Sequence, residues 1–214
     1  MALFSEEMYK LLDLALSELN ASHESGRTPQ NDLNEAHYLG AWVTTAMKKK
    51  RFDSIVLSSL KNWQSKARSL GRNAGLKDQF IYLERCYSQI LDSDKKIQAV
   101  TRDQFEAFYK TLSAAQWMVT TDTVVVDKMK CHSSGDSSLV ACKAQMDTHF
   151  NEKGDLIKPI SFYIRGDVQE AVKLAFAANV LLHKKTDHKS RVKYHGEYVV
   201  YVHNDGEFLP EFPL

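Results

Sequence analysis

Length, composition and charge already exclude several classes of protein. The chain has 214 residues, of which 43% are hydrophobic and 26% are charged, and a formal net charge of +1. These values are typical of a globular protein and not of a collagen, a coiled coil or a disordered chain. No apolar run approaches the ~18 residues of a transmembrane helix, so we expect no membrane partner. Glu6 and Glu7 lie where a signal peptide is basic, and three cysteines are too few for a disulfide scaffold, so the sequence predicts a cytoplasmic protein.

The first half of the sequence predicts about five helices. Ser5 is predicted to cap the first helix, the second begins near Asn34, and Asp53 is predicted to cap the third. The fifth has the strongest start signal, because Thr101 and Gln104 have the spacing of a capping box. The apolar stripe of the third helix is predicted to be Val56, Leu60, Trp63, Ala67 and Leu70. That of the fourth is predicted to be Leu76, Phe80, Leu83, Tyr87 and Ile90.

After Met118 the hydrophobic period changes from that of a helix to that of a strand. The predicted strands are 123–129, 139–146, 156–165, 180–185 and 191–203. The polar cluster 133–137 predicts a hairpin turn between the first two strands, and Gly196 is a candidate β-bulge. Asp167 is predicted to cap one further helix, which Asn179 could end in a left-handed conformation.

These elements together predict an α+β fold. The sequence places a helical sub-domain over 1–119 and an antiparallel sheet with one helix over 120–214. No Pro-, Gly- or Ser-rich linker separates the two halves, so we expect the helices to pack on the sheet as one unit.

Two blocks of sequence carry a resemblance to a known family. The first block is Trp42, Arg51, Phe52, Trp63, 69–71 and 74–77, and the second is 181–183 and 189–198. In these residues the chain resembles an uncharacterised gammaproteobacterial family, classed as a domain of unknown function, over most of its length. The resemblance implies a bacterial, cytoplasmic protein. Because that family has no established activity, the resemblance implies no catalytic or binding residue.

The near-zero net charge hides a segregation of charges along the sequence. Segments 48–51, 61–77 and 183–195 hold four, five and five Lys and Arg residues. Together they contain 14 of the 28 cations and only one of the 27 acids, Asp187. Such segments favour contact with a polyanion, provided that folding brings their side chains onto one surface.

The candidate phosphate-binding residues lie in the second and third of these segments. On the third predicted helix, the hydroxyl and basic side chains fall opposite the apolar stripe. In the third segment a turn concentrates charge, and Tyr194 and His195 add flat rings that can stack on bases. The predicted polyanion-binding residues are Lys61, Ser65, Arg68, Arg72, Lys184, Lys185, Lys189, Arg191 and Lys193.

The charge segregation has more than one interpretation. The best prediction is a non-enzymatic cytoplasmic binding protein that contacts a polyanion, with nucleic acid the favoured one, although the sequence has no zinc-finger, RNP-like or clear helix-turn-helix signature. An alternative is a protein-interaction or regulatory module with an acidic partner, or a protein that self-associates through its own two charge types. The basic runs could also be solvated faces that pair with the acidic remainder.

A third function class is an enzyme that works around His195 and Glu197. These residues are two apart on a predicted strand and so share one face, but a polar strand face without catalysis fits them as well. The sequence has no nucleophile elbow, phosphate-binding loop, dinucleotide fingerprint or zinc-protease motif. Four residues that invite a zinc interpretation are Cys131, His132, Cys142 and His149. Their spacing lacks the paired ligands of a zinc site, so we predict no metal and no cofactor.

Overall fold

The computed structural model describes residues 2–131, 137–187 and 189–213. The α-helices are α1 (Phe4–Glu24), α2 (Asp32–Lys48), α3 (Leu57–Leu70), α4 (Leu76–Ile90), α5 (Arg102–Ala114), α6 (Lys143–Thr148) and α7 (Val168–Ala177). The strands are β1 (Met118–Thr120), β2 (Ser138–Ala141), β3 (Ile160–Arg165), β4 (His183–Thr186) and β5 (Gly196–Val200). The fold is α+β, as predicted. Over the described ranges, none of the helices has the length and apolar character needed to cross a bilayer.

The chain folds into two compact units, Met1–Ile97 and Gln98–Leu214. Helix α5 belongs to the second unit, although the sequence grouped it with the helices of 1–119. The reason is that its inner face, Phe105, Phe108 and Leu112, is buried in the core of the sheet. The expectation that the two halves pack as one unit stays a prediction.

The first unit is built from α1 to α4. The predicted stripe of α4 is buried along its whole length, and Phe80 of that stripe packs against Trp63 of α3 with ring centroids 4.7 Å apart. The stripe of α3 is buried only as far as Trp63, and Leu70 is 51% exposed because the helix ends there. Ser5 is not the cap of α1: the cap position is Leu3, and Ser5 is buried inside the first turn.

An ion pair in the first unit accounts for part of the 48–51 basic run. Arg51 forms a two-point contact with the carboxylate of Glu18 on α1, and its guanidinium lies 5.2 Å from the ring centre of Trp42. Trp42 also donates a hydrogen bond to Glu18. The hydrogen bond from Arg51 lowers the pKa of Glu18 below its usual value. Arg51, Phe52 and Trp42, which carry part of the family resemblance, therefore form a structural contact between α1 and the end of α2.

The second unit contains one five-stranded sheet in the order β1-β2-β3-β5-β4. Four of the strands pair antiparallel, but β1 pairs parallel with β2, with Met118 opposite Ser138. The prediction of an antiparallel sheet is therefore wrong at this edge, and the sheet is mixed. The physical reason is the length of the connection 121–137 between β1 and β2. A short hairpin turn would make β2 antiparallel to β1, whereas this long connection lets β2 begin beside the start of β1 and run in the same direction.

The two faces of this sheet are covered differently. Alternate strand residues such as Leu139 and Phe162 pack into the large core that includes α5 and α7. The intervening residues Val140 and Tyr163 form a smaller cluster on the other face, together with Val125, Cys142 and Val192. Irregular chain segments, rather than helices, therefore cover this second face.

The predicted strand 123–129 is wrong. Of its alternating valines only Val125 is buried, and its backbone N–H lies 3.2 Å from the Cys142 sulfur instead of in a ladder. The apolar alternation thus reflects one anchored valine between exposed neighbours. The predicted second strand, 139–146, is a strand only in its first part, because Lys143–Thr148 forms α6. The predicted hairpin turn lies mostly outside the described residues, which exclude 132–136.

The signals at the ends of α5 and α7 are confirmed. Thr101 and Gln104 form the capping box of α5, the Asp167 side chain accepts a hydrogen bond from the Glu170 N–H, and Asn179 has a left-handed φ of +56°. The predicted strands 156–165 and 191–203 shorten to β3 and β5, and the predicted strand 180–185 begins later and ends one residue further on, as β4. The bulge expected at Gly196 lies instead on β4, where the register shifts between Lys184 and Thr186.

Candidate functional site

A single parallel β-bridge brings two basic segments of the second unit together. Met129 pairs with Val192 outside the main sheet. The Met129 N–H donates to the Arg191 carbonyl at 2.9 Å, and the Lys193 N–H donates to the Met129 carbonyl at 2.8 Å. Val192 is fully buried in the smaller core cluster, so the bridge is anchored to the sheet. The bridge sets residues 128–130 beside residues 189–194.

A hollow of about 670 Å³ opens beside this bridge. Its described lining is Lys128, Met129, Lys130, Lys189, Ser190, Arg191, Lys193 and Tyr194. We call it the second-unit hollow. All five of its cations are exposed, and none of them forms an ion pair with a carboxylate of the described chain. A concave surface lined by unpaired Lys and Arg side chains is suited to phosphate groups.

Two of these five cations, Lys128 and Lys130, are not among the binding residues predicted from the sequence. They flank Met129, and the sequence alone gives no sign that this residue pairs with Val192. The available signal was the Lys-Met-Lys alternation itself, which puts both lysines on the side opposite Met129 wherever the backbone is extended. Residues 128–130 are about sixty positions before 189–193 in the sequence, so the two segments come together only in the folded chain.

Buried polar groups hold the turn at the rim of the hollow. The Ser190 hydroxyl donates to the Val192 carbonyl at 2.7 Å and accepts the Val192 N–H at 3.2 Å. The His195 ring is 1% exposed, and its Nδ1 lies 2.9 Å from the Lys193 carbonyl while its Nε2 lies 2.9 Å from Ser138 Oγ. A carbonyl only accepts, so Nδ1 carries the proton and Ser138 donates to Nε2 of a neutral ring. Burial lowers the pKa of His195, which favours this neutral form.

Tyr194 is the exposed aromatic residue of this turn. Its side chain is 70% exposed, and the Lys193 ammonium lies 4.7 Å from its ring centre. Its backbone has a φ of +68°, a left-handed conformation that costs a bulky residue about 1–2 kcal/mol. His195, the other predicted stacking residue, is buried, so its ring faces are not accessible to a base in this structure.

Lys184 and Lys185 lie apart from the lining of the hollow and are already paired. Lys184 forms an ion pair with Asp187 at 2.6 Å, and Lys185 forms one with Glu197 at 3.1 Å. The hydrogen bond to Asp187 also raises the pKa of Lys184. Of the five cations predicted in the third segment, the structure therefore brings Lys189, Arg191 and Lys193 together and engages the other two elsewhere. His188, which lies in the same turn, is outside the described residues.

The cations predicted in the first unit form a second basic surface. Lys61, Ser65 and Arg68 are exposed along α3, and Arg72 is exposed in the 3-10 turn that follows. Arg68 and Arg72 border a groove of about 450 Å³ beside α2, which we call the first-unit groove. Its polar lining also includes His37, Thr44, Thr45 and Gln64. Lys77 does not contribute, because it pairs with the buried carboxylate of Glu35 at 2.8 Å.

The residues proposed for catalysis have separate partners. His195 bonds to Ser138, whereas Glu197 accepts a hydrogen bond from Ser161 at 2.9 Å and pairs with Lys185. Both side chains are buried, and neither lines the second-unit hollow. The contacts of Glu197 connect β5 to its neighbours β3 and β4, whereas the contact of His195 reaches past β3 to the start of β2.

The residues considered as zinc ligands do not form a cluster within the described chain. His132 is outside the described residues, and His149 Nδ1 bonds to the Pro159 carbonyl at 2.8 Å. Cys142 is buried against Val125. Over the described residues, no group of three or more His, Cys, Asp or Glu side chains has a geometry for a metal ion.

Fold and site together define an α+β protein whose second unit presents, around a hollow, one exposed tyrosine and five cations that pair with no carboxylate of the described residues. The chain belongs to the family described as "Protein of unknown function (DUF2913)", whose model matches residues 3–213. The resemblance seen in the two sequence blocks is thereby confirmed as membership of a family of unknown function. No curated protein and no solved structure matches the chain.

Proposed function

We propose that this protein is a cytoplasmic, non-enzymatic binding protein whose ligand is a nucleic acid, held at the second-unit hollow. The observation that carries the proposal is the Met129–Val192 bridge, which gathers Lys128 and Lys130 with Lys189, Arg191 and Lys193 around one concavity. Five cations without carboxylate partners among the described residues match the repeating phosphates of a nucleic acid.

The absence of carboxylate partners among the described residues supports an anionic ligand over a basic patch that is neutralised within the fold. Two lysines near the hollow in sequence, Lys184 and Lys185, each form an ion pair with a carboxylate of the same region. The five lining cations instead stay exposed and keep their hydrogen-bonding capacity. Arg191 offers a forked donor to a phosphate, and the four lysines offer point charges.

A salt titration of binding tests this function. Contact with up to five phosphates of a single strand predicts a slope of log K against log salt concentration of about −3 to −4. The measurement is fluorescence anisotropy with labelled DNA and RNA oligonucleotides between 50 and 200 mM salt. Absence of binding at low salt, or binding that salt does not weaken, would contradict the proposal.

A matched pair of variants locates the binding. Lys189→Ala/Arg191→Ala removes two unpaired cations of the hollow, whereas Lys184→Ala/Lys185→Ala removes the same charge from the same region where carboxylates already engage it. We expect at least a tenfold loss of affinity for the first variant and less than a threefold loss for the second. Equal losses would place the ligand elsewhere. A salt-dependent molecular mass without oligonucleotide binding would favour self-association instead.

A further inference from the structure

We propose that the ligand of the second-unit hollow is single-stranded nucleic acid with one base stacked on Tyr194, and that the buried Ser138–His195 pair positions this ring. This inference rests on the proposed function and specifies the class of nucleic acid. It is carried by the juxtaposition of an exposed, conformationally strained tyrosine with five cations that have no ion-pair partner in the part of the chain that the structure describes.

The backbone of Tyr194 is in a strained conformation. A bulky residue seldom takes a left-handed φ, and strained residues persist only where their surroundings fix them. Burial of the Tyr194 side chain does not offset the free-energy cost of this backbone conformation, because the side chain is 70% exposed. The strain therefore serves the placement of the ring on the surface rather than its burial.

A set of contacts fixes this conformation. Ser190 closes the chain onto Val192, and the Met129 carbonyl holds the Lys193 N–H. Immediately after Tyr194, His195 bonds back to the Lys193 carbonyl and across to Ser138 at the start of β2. The residue before Tyr194 and the residue after it are thus both tied to ordered structure, so the backbone that carries the ring is held in place before any ligand binds.

An exposed ring beside phosphate-binding cations favours a ligand whose bases are accessible. In a duplex the faces of the bases are hidden by stacking, whereas a single strand can place a base flat on an aromatic side chain. The Lys193 ammonium lies over one face of the Tyr194 ring. The large exposed fraction of Tyr194 leaves room for a base against the other face.

The experiment compares three probes: a single-stranded oligonucleotide, a duplex of the same length, and inorganic polyphosphate, which has no bases. Tyr194→Ala should weaken single-strand binding by about tenfold, the lower range for loss of one stacked base, and leave the affinity for polyphosphate unchanged. Tyr194→Phe keeps a ring and should stay within about twofold of wild type.

The outcomes separate this inference from the proposed function. Loss of salt-dependent binding to every probe overturns both. Salt-dependent binding that is equal for single strand and duplex, or single-strand binding that Tyr194→Ala does not weaken, overturns the stacking inference and leaves the proposed function in place. Preference for the single strand together with its loss in Tyr194→Ala supports the inference.

A double-mutant cycle tests the positioning role of Ser138. Ser138→Ala should weaken single-strand binding in the wild type but have no further effect in the Tyr194→Ala background, because Ser138 acts only through that ring. A merely structural role would lower affinity equally in both backgrounds, and that result would overturn the role. His195→Gln interrupts the same pair from the other side, and a second cycle with this variant decides the question if Ser138→Ala does not fold.

Discussion

The two basic surfaces of this protein are built in opposite ways. The cations of the first unit lie on α3, where a regular helix turns every side chain opposite the apolar stripe toward solvent. Those of the second-unit hollow lie on irregular chain, gathered by one bridge and by buried hydroxyl and imidazole groups. The first surface follows from local periodicity, whereas the second exists only because distant segments pair. Their dependence on the surrounding structure should therefore differ, and four experiments can break or sharpen this contrast.

The largest expected difference is in the response to acid. The ring of His183 at the start of β4 is buried between Tyr201 and Phe208, and this burial lowers the pKa of His183 to about 4. The unfolded chain takes up a proton below pH ~6.5, but the folded chain does not until about pH 4. The free energy of unfolding therefore falls as the pH drops through this window, by up to about 3 kcal/mol. In the first unit the pKa of Glu18 is lowered. The contribution of its ion pair with Arg51 to the free energy of unfolding is therefore retained until the pH falls below ~4.5.

Hydrogen exchange at pH 7.5 and pH 5 measures this difference unit by unit. Amide protection in residues 98–214 should decrease at pH 5, while protection in the helices of the first unit should change less. His183→Leu removes the titrating group and should flatten the pH dependence of the second unit, although His195 leaves a smaller slope of the same sign. An unchanged pH dependence in His183→Leu would contradict the assignment.

Charge reversal tests which basic surface binds nucleic acid. Lys128→Glu/Lys130→Glu should lower the affinity about a hundredfold, because two attractive contacts of the second-unit hollow become repulsive. Lys61→Glu/Arg68→Glu makes the same change in net charge on α3 and should cost less than about fivefold. Anisotropy titrations at one fixed salt concentration compare the two, and the reverse ranking would transfer the proposed function to the first-unit groove.

Packing gives a third contrast. Val192→Ala leaves a cavity in the small core cluster under the hollow, and we expect it to lower the free energy of unfolding by about 2 kcal/mol. Leu70→Ala at the exposed end of α3 should change it by less than about 0.5 kcal/mol. Urea denaturation at pH 7.5 measures both. Similar small effects would mean that the bridge does not depend on its buried valine.

The smallest effect is a gain. Asp187→Asn removes the carboxylate that engages Lys184 and so frees a cation of β4 that lies outside the lining of the hollow. We expect a two- to threefold higher affinity at low salt and a salt slope that is more negative by up to about 0.7–0.9. A lower affinity would show that the ion pair between Lys184 and Asp187 stabilises the turn and that its neutralisation of Lys184 does not limit binding.

Local signals predicted much of the fold. The capping box at Thr101, the cap at Asp167 and the stripe of α4 each depend on residues within a few positions of one another, and all three are confirmed. The alternating valines at 123–129 led to a wrongly predicted strand, because an alternation of apolar residues does not specify a strand with which the segment could form hydrogen bonds. The direction of β1 could not be predicted either, since it depends on how the 121–137 connection returns.

The candidate site was predictable in part. Lys189, Arg191, Lys193 and Tyr194 stand out in the sequence because they are clustered. That Lys184 and Lys185 do not line the hollow was not predictable from the sequence. Lys184 pairs with Asp187 because of how the turn after β4 folds, and Lys185 pairs with Glu197 because β4 lies beside β5. Burial of His195 likewise follows from the contact with Ser138, 57 positions earlier in the chain.

The two paired lysines also bear on the behaviour of β4 at the rim of the sheet. An outermost strand exposes unsatisfied backbone groups to which a strand of another molecule can attach, and this is a common route to aggregation. Lys184 and Lys185 place charge on this rim, and the shifted register between Lys184 and Thr186 interrupts the regular spacing that an incoming strand would need. We therefore expect these two lysines, which the sequence assigned to a ligand, to disfavour edge-to-edge association between molecules.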